Sequence, residues 1–164
     1  MPVDPITIRL VTADDLPALR AREVHPDAKL AQGRYEHQEA GDYFLAVAER
    51  DGILLGYCGL DCDPEGVLSP ELKSLWVYPE ARRSGAGRAL TRYLEDLARE
   101  RGCVEIFLRV DPENAEAIPM YIGLDYTPSG DHLLTSYEVF GETGATKQVE
   151  RLDAVYRKSL TAHH

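Results

Sequence analysis

The chain has 164 residues, with 28 acidic against 18 basic side chains and a formal net charge of −10 at pH 7. That length suits one domain spanning 1–164, and 44% hydrophobic with 28% charged residues is the balance of a folded protein rather than a disordered one. The acidity argues against a nucleic-acid partner, which would need Lys and Arg against phosphates; no apolar run of about 18 residues predicts a membrane span, and no export signal is visible, so a cytoplasmic protein is expected.

Ile6–Val11 (ITIRLV) alternates as a short strand. Thr12 or Asp14 can cap a helix running to about Glu23. Residues 25–41 are polar and broken by Pro26 and Gly33, which predicts a loop and a second short helix. Tyr43–Glu49 and Ile53–Leu60 are apolar runs around Asp51-Gly52, a strong hairpin signal. Asp61–Pro70 is turn-rich, and Glu71–Val77 (ELKSLWV) is a further strand stopped by Pro79. A helix then runs to about Arg101, with Leu90, Tyr93, Leu94 and Leu97 at i, i+3, i+4, i+7 and Gly102 as its C-cap. Val104–Val110 is a strand. Asp111-Pro112 reads as an N-cap and first helical residue, leading to a short helix through Ala117–Tyr121. Two last strands, HLLTSYEVF and RLDAVYRKSL, complete a mixed α/β chain; His163 and His164 are given no function.

The acidity is unevenly spread. Between Arg82 and Arg92 stand four arginines and no acid. Residues 61–71 carry four acids and no base, and residues 111–150 carry eight acids against Lys147 alone. The basic island holds Gly85 and Gly87 in front of a helix, where unpaired N–H groups and the helix dipole favour an anion. The plain alternative is a loop whose glycines serve the turn and whose arginines are solvated. The dinucleotide fingerprint fails, because Leu90 stands at its third glycine position, and no Gly-Lys-Ser/Thr exists for a nucleotide-triphosphate loop.

Two further decoys fail on spacing. Cys58, Cys62 and Cys103 read as reduced thiols, and no second Cys/His pair completes a zinc site. Asp61, Asp63, Glu65 and Gly66 begin like a calcium loop, but Glu71 comes one residue too early, so a hairpin loop is preferred. No metal is expected.

VYPEARRSGAGRAL resembles motif A of the GNAT acyltransferase superfamily, with Arg82, Gly85 and Gly87 filling Arg/Gln-x-x-Gly-x-Gly/Ala after a strand. NAEAIPMYIGLDY resembles the family's motif B, with Asn114, Tyr121 and the aromatic Tyr126 matching. Asp125 stands where the family has Gly, and Asp tolerates the left-handed region such a turn needs. The motifs cover residues 71–127. The resemblance implies the GNAT fold: a central, mostly antiparallel twisted sheet flanked by helices, with a βαβ unit for CoA. It implies acetyl-CoA as co-substrate, its pyrophosphate on Arg82, Arg83, Ser84, Gly85, Ala86, Gly87 and Arg88. Its pantetheine would run along Leu75, Trp76 and Val77 as an added strand. Asn114 would meet the CoA arm, with helix capping as its plain alternative. One backbone N–H of the strand would polarise the thioester carbonyl.

Acetyl transfer to an amine raises two proton problems. At pH 7 only about one in 2,500 lysine-like amines is neutral. The leaving thiol has a pKa of about 8.5. Tyr121 holds the family's acid position, but proton transfer from a phenol of pKa about 10 is uphill by ~2 kcal/mol. A hydrogen bond in the transition state, or a lowered phenol pKa, is therefore expected; the alternative is a core tyrosine. Glu71 is the candidate base, through a water, against the alternative of an exposed strand-end charge. Glu105 and Asp111 are weaker candidates. The expected acceptor is the primary amine of a small, cationic molecule, on the strength of the acidic segments. A protein N-terminus or lysine, or a non-catalytic acyl-CoA sensor, is the rival. The first two helices (Arg20–Gly41) and a long connection at Thr127–Thr146 would frame the acceptor, with Tyr35, His37, Asp131 and His132 as contacts. A homodimer is left open.

Overall fold

The computed structural model describes residues 5–23, 30–140 and 146–161. Part of the expected 25–41 loop, and His163 and His164, lie outside the described residues. The described residues form β1 (Thr7–Leu10), α1 (Leu16–Ala21), α2 (Leu30–Ala40), β2 (Tyr43–Arg50), β3 (Ile53–Asp61), β4 (Glu71–Val77), α3 (Ala86–Glu100), β5 (Glu105–Val110), α4 (Ala117–Gly123), β6 (Thr127–Phe140) and β7 (Thr146–Ser159). The sheet order is β1-β2-β3-β4-β5-β7-β6. Of its pairings only β4 with β5 is parallel. That arrangement is the mixed, mostly antiparallel α/β sheet the sequence predicts.

The apolar run of β2 shows why the sheet is covered on both sides. Tyr43, Leu45 and Val47 belong to one core cluster with Val11, Leu19 and Ala31 of the N-terminal helical layer. Ala46 and Ala48 belong to the other, with Leu90, Leu94 and Ala98 of α3, Tyr121 of α4 and Leu124 just past its end. A strand buried on both faces reads as continuous hydrophobicity, because alternate residues point to opposite layers. Asp51 and Gly52 take φ of 55° and 78°, the left-handed pair of a two-residue hairpin. Asp61–Pro70 is the hairpin loop between antiparallel β3 and β4. In it Asp61 Oδ1 accepts the Asp63 amide and Asp63 Oδ1 the Glu65 amide.

Two expected boundaries are wrong. No helix starts at Asp111-Pro112: Asp111 Oδ1 accepts the Glu113 amide at 2.9 Å and closes a local turn. The next helix is instead capped by Asn114, whose Oδ1 accepts the amides of Glu116 and Ala117. HLLTSYEVF is a strand as expected, but the strand begins earlier, at Thr127, inside the segment expected as a connection, and pairs with β7 as far as Phe140. A register shift between Pro128 and His132, with Gly130 at φ 92°, absorbs the turn-forming residues. Residues 141–145 of that connection lie outside the described residues.

Candidate active site

The parallel seam of the sheet opens where it carries its most unusual backbone. Glu71 pairs with Phe107 and Leu72 with Leu108; beyond Leu72 the two strands part. On its other side β4 keeps pairing with β3, but Ser74 and Leu75 together face Cys58, a β-bulge, with Ser74 at φ 60°. The extra residue resets the alternation. Leu72, Leu75 and Val77 all contribute to the α3-side core, whereas Lys73 and Trp76 border cavities under α2. A cleft of about 690 Å³ fills the gap, joining Glu71, Lys73, Ser74 and Leu75 to Arg109, Asn114, Tyr121, Thr135, Arg151 and Asp153.

Glu71 heads the gap and is buried, 3% exposed, which removes the alternative of an exposed strand-end charge. Its Oε2 lies 3.0 Å from Arg109 Nε, and Lys73 Nζ is 3.8 Å from Oε1. Burial raises its pKa above the ordinary carboxyl range, with Lys73 and Arg109 pulling the other way. The two cations favour its charged form, burial opposes it, and burial prevails, so the carboxyl is more basic than one in water.

Tyr121 reaches the cleft from α4, edge-on to Tyr126 at 5.7 Å between ring centroids. Burial raises its pKa, with Cys58 adding to the shift. That direction runs against a lowered phenol pKa. Cys58 also borders the cleft, but burial pushes its thiol up to about 12, so it remains protonated and a poor nucleophile.

The basic turn stands at the far end of β4. Arg83 and Gly85 have φ of 64° and 91°, and Ser84 Oγ accepts the Ala86 amide at 3.3 Å. Helix geometry leaves the Gly87 and Arg88 amides without an acceptor one turn back. Gly87 is helical, and its missing Cβ makes room for Met120, whose Sδ would lie 3.2 Å from it. Arg82 donates from Nε to the Val77 carbonyl at 3.1 Å and stands over the Trp76 ring at 4.8 Å, tying the turn to the strand end.

Not every candidate reaches the gap. Glu105 starts β5, five residues (about 16 Å) from Val110 at the cleft, whereas Asp111 lines it. Tyr35 packs on the α1–α2 core cluster. Asp131 and His132 sit exposed on β6 outside the cleft, which is lined from that strand by Leu134, Thr135 and Ser136. His37 borders an adjoining recess with Arg34, Asp61, Lys73 and Ser74. Lys73, Ser74, Arg109, Arg151 and Asp153 were missed by sequence reasoning, since each reads as an ordinary strand residue. Among the described residues no group of three or more His, Cys, Asp or Glu is placed to hold a metal ion. No helix among them is long and apolar enough to cross a membrane.

The model of the acetyltransferase (GNAT) family matches residues 10–125. The chain belongs to the GNAT acetyltransferase family. A mycothiol acetyltransferase of Kocuria rhizophila is 34% identical over 119 residues, 65% of this chain and 39% of that protein. An amino-acid acetyltransferase of Pasteurella multocida is 27% identical over 104 residues, 62% of this chain and 23% of that protein. The chain thus spans well under half the length of these curated relatives. Among solved structures, an acetyltransferase of Salmonella typhimurium with its cofactor acetyl-CoA shares the fold at a TM-score of 0.71 and 23% identity, covering 98% of this chain and 96% of that one. A spermidine N-acetyltransferase of Vibrio cholerae with CoA and spermine does so at 0.70 and 18%, covering 95% and 96%. Both GNAT motifs read from the sequence lie within or at the edge of the matched region. The left-handed turn expected of Asp125 is present, at φ 73°.

Proposed function

We propose that this chain transfers an acetyl group from acetyl-CoA directly to the primary amine of a small molecule, held by its cationic ammonium end, in a ternary complex. The observation that carries the reading is the gap beyond Leu72. There a bulged strand with a free edge runs between a buried carboxylate and a basic helix-leading turn. In this reading the pantetheine pairs with the β4 edge at Leu75, Trp76 and Val77. The pyrophosphate rests on Arg83, Ser84, Gly85, Ala86, Gly87 and Arg88, with Arg82 holding turn and strand end together. Asn114 spends its Oδ1 on capping α4 and keeps its amide N–H donors for the CoA arm.

The amine arrives from the Glu71 side and passes a proton to that carboxylate through a water. Its nitrogen bonds to the thioester carbonyl carbon, while a backbone N–H at the Ser74 bulge stabilises the oxyanion. The C–S bond then breaks, and Tyr121 donates a hydrogen bond to the departing sulfur. The protonated Cys58 favours direct transfer over an acetyl-cysteine intermediate.

The test is thiol release from acetyl-CoA over a panel of amines and peptides. Amine-dependent release supports the reading. Release with peptides alone would move the acceptor to a protein N-terminus or lysine, and tight CoA binding with no acetylated acceptor would leave an acyl-CoA sensor.

A further inference from the structure

We infer that the acceptor is a zwitterion of the α-amino-acid class, its carboxylate read by Arg34 and its amine delivered past Ser74 to Glu71; this rests on the acetyl-transfer reading above. The acidity of the segments around the site is already answered locally. Glu71 faces Arg109 and Lys73, Asp61 is 2.9 Å from Lys73, and Asp111 and Asp153 both lie within 4 Å of Arg151. Acids and bases lining the cleft are equal in number, three of each: Glu71, Asp111 and Asp153 against Lys73, Arg109 and Arg151. A polycation entering this cleft would have to compete with cations that are already paired.

Arg34 breaks the balance. It projects from α2, donates from Nη2 to Ser74 Oγ at 3.2 Å and stands over the Tyr57 ring at 5.3 Å. Among the described residues no ion pair includes it. It borders a recess of about 390 Å³ that shares Lys73 and Ser74 with the cleft. A guanidinium has five N–H donors in a planar fork that matches a carboxylate, and stacking on an aromatic ring sets its plane beforehand. Only one donor is engaged by Ser74.

Anchoring on the bulge residue fixes the consequence. An anion on Arg34 sits beside the strand that carries the thioester in this reading. In an α-amino acid the amine is attached to the carbon that bears the carboxylate, so the same anchorage brings the amine to the gap. A peptide N-terminus offers an amide there, and a polyamine offers no anion. The transfer balances as RNH3+ plus acetyl-CoA giving the N-acetyl amino acid, free CoA thiol and one proton.

The experiment measures thiol release for free α-amino acids, their α-amides, the decarboxylated amines and spermidine. A kcat/KM for acids about tenfold or more above that of matched amides is expected. Arg34→Gln should bring that ratio towards one by raising KM for the acid, with KM for acetyl-CoA little moved, and Arg34→Lys should restore part of it. Amides, amines or spermidine used as well as the acids, or Arg34→Gln lowering acid and amide alike, would overturn the proposal. If no acceptor turns over, the acetyl-transfer reading fails by itself. Calorimetry on the CoA-loaded protein then still decides the anion site: amino-acid binding that Arg34→Gln abolishes supports it, and equal binding of acid and amide, or of neither, overturns it.

Discussion

Arg109 Nε stands 3.0 Å from Glu71 Oε2, at the point where β4 and β5 cease to pair. Neither group is free to choose solvent: Glu71 is 3% exposed, and Arg109 Nε is buried without an aligned hydrogen-bond acceptor. Charge is joined by one long hydrogen bond, Arg109 Nη2 donating to Glu71 Oε1 at 3.4 Å. Removing one partner leaves the other charge buried, which costs about 3–5 kcal/mol. Arg109→Gln is therefore expected to lower the melting temperature sharply. The double variant Glu71→Gln/Arg109→Gln should recover much of that loss yet stay inactive. Calorimetric melts of the three proteins check this, and equal instability of the single and double variants would refute it.

The pH profile follows from the same carboxyl. Burial raises Glu71, while Lys73 and Arg109 lower it and Asp61 raises it again. If Glu71 is the base, the acidic limb of kcat/KM reports its ionisation and lies above the ordinary Glu value of about 4.3. Lys73→Gln removes a cation 3.8 Å away. The charged form then loses support, the pKa rises, and the limb moves to higher pH. Glu71→Gln should remove the limb. A limb that shifts to lower pH in Lys73→Gln would show that another group is being read.

Tyr121→Phe separates chemistry from packing. The ring packs edge-on to Tyr126, and that contact survives the substitution. The fold should change by less than about 0.5 kcal/mol. With its pKa raised, the phenol contributes a hydrogen bond rather than a full proton transfer, so kcat should fall by roughly 10- to 100-fold. Affinity for acetyl-CoA, measured by calorimetry, should be unchanged. An unaltered kcat would remove Tyr121 from the mechanism.

The two glycines of the basic turn should behave differently. Gly85 has φ 91° with open space around its missing Cβ, so Gly85→Ala meets backbone strain of about 1–2 kcal/mol. Gly87 is helical, where Ala is intrinsically better by about 1 kcal/mol, and the added methyl meets the flexible Met120 side chain at 3.2 Å. Melts should show Gly85→Ala losing clearly more stability. Titration with acetyl-CoA should show weaker binding for both if the pyrophosphate sits on this turn.

These contrasts also mark what the sequence could reveal. The bounds of β4, the Asp51-Gly52 hairpin and the left-handed Asp125 follow from local preferences that a string of residues carries. The bulge does not: Ser74 sits at φ 60° without being glycine, because pairing with β3 and divergence from β5 impose it. Arg109, Arg151 and Asp153 come to the cleft from strands distant in the chain, so no spacing rule links them to Glu71. Asn114 was legible as a polar residue before a helix, yet which of Asp111 and Asn114 caps it depends on where the chain turns.

Glu95 is another buried acid, and it has a different job. It lies on the core side of α3 at 2% exposure, where the helical apolar pattern would place a hydrophobe. Tyr126 Oη donates to its Oε2 at 2.7 Å and Lys158 Nζ to its Oε1 at 2.9 Å. The network ties α3 to β7 and to the start of β6 and does not line the cleft. Lys158→Met should therefore cost about 3–5 kcal/mol by leaving Glu95 uncompensated. Replacing Glu95 and Lys158 together by Leu should return most of it. Activity per folded molecule should stay near wild type in both, whereas Glu71→Gln should lose activity per folded molecule in addition to the stability it loses by leaving Arg109 buried. Paired denaturation curves and thiol-release rates decide the matter. Loss of turnover in the stable Glu95→Leu/Lys158→Leu protein would place Glu95 in the catalytic apparatus instead.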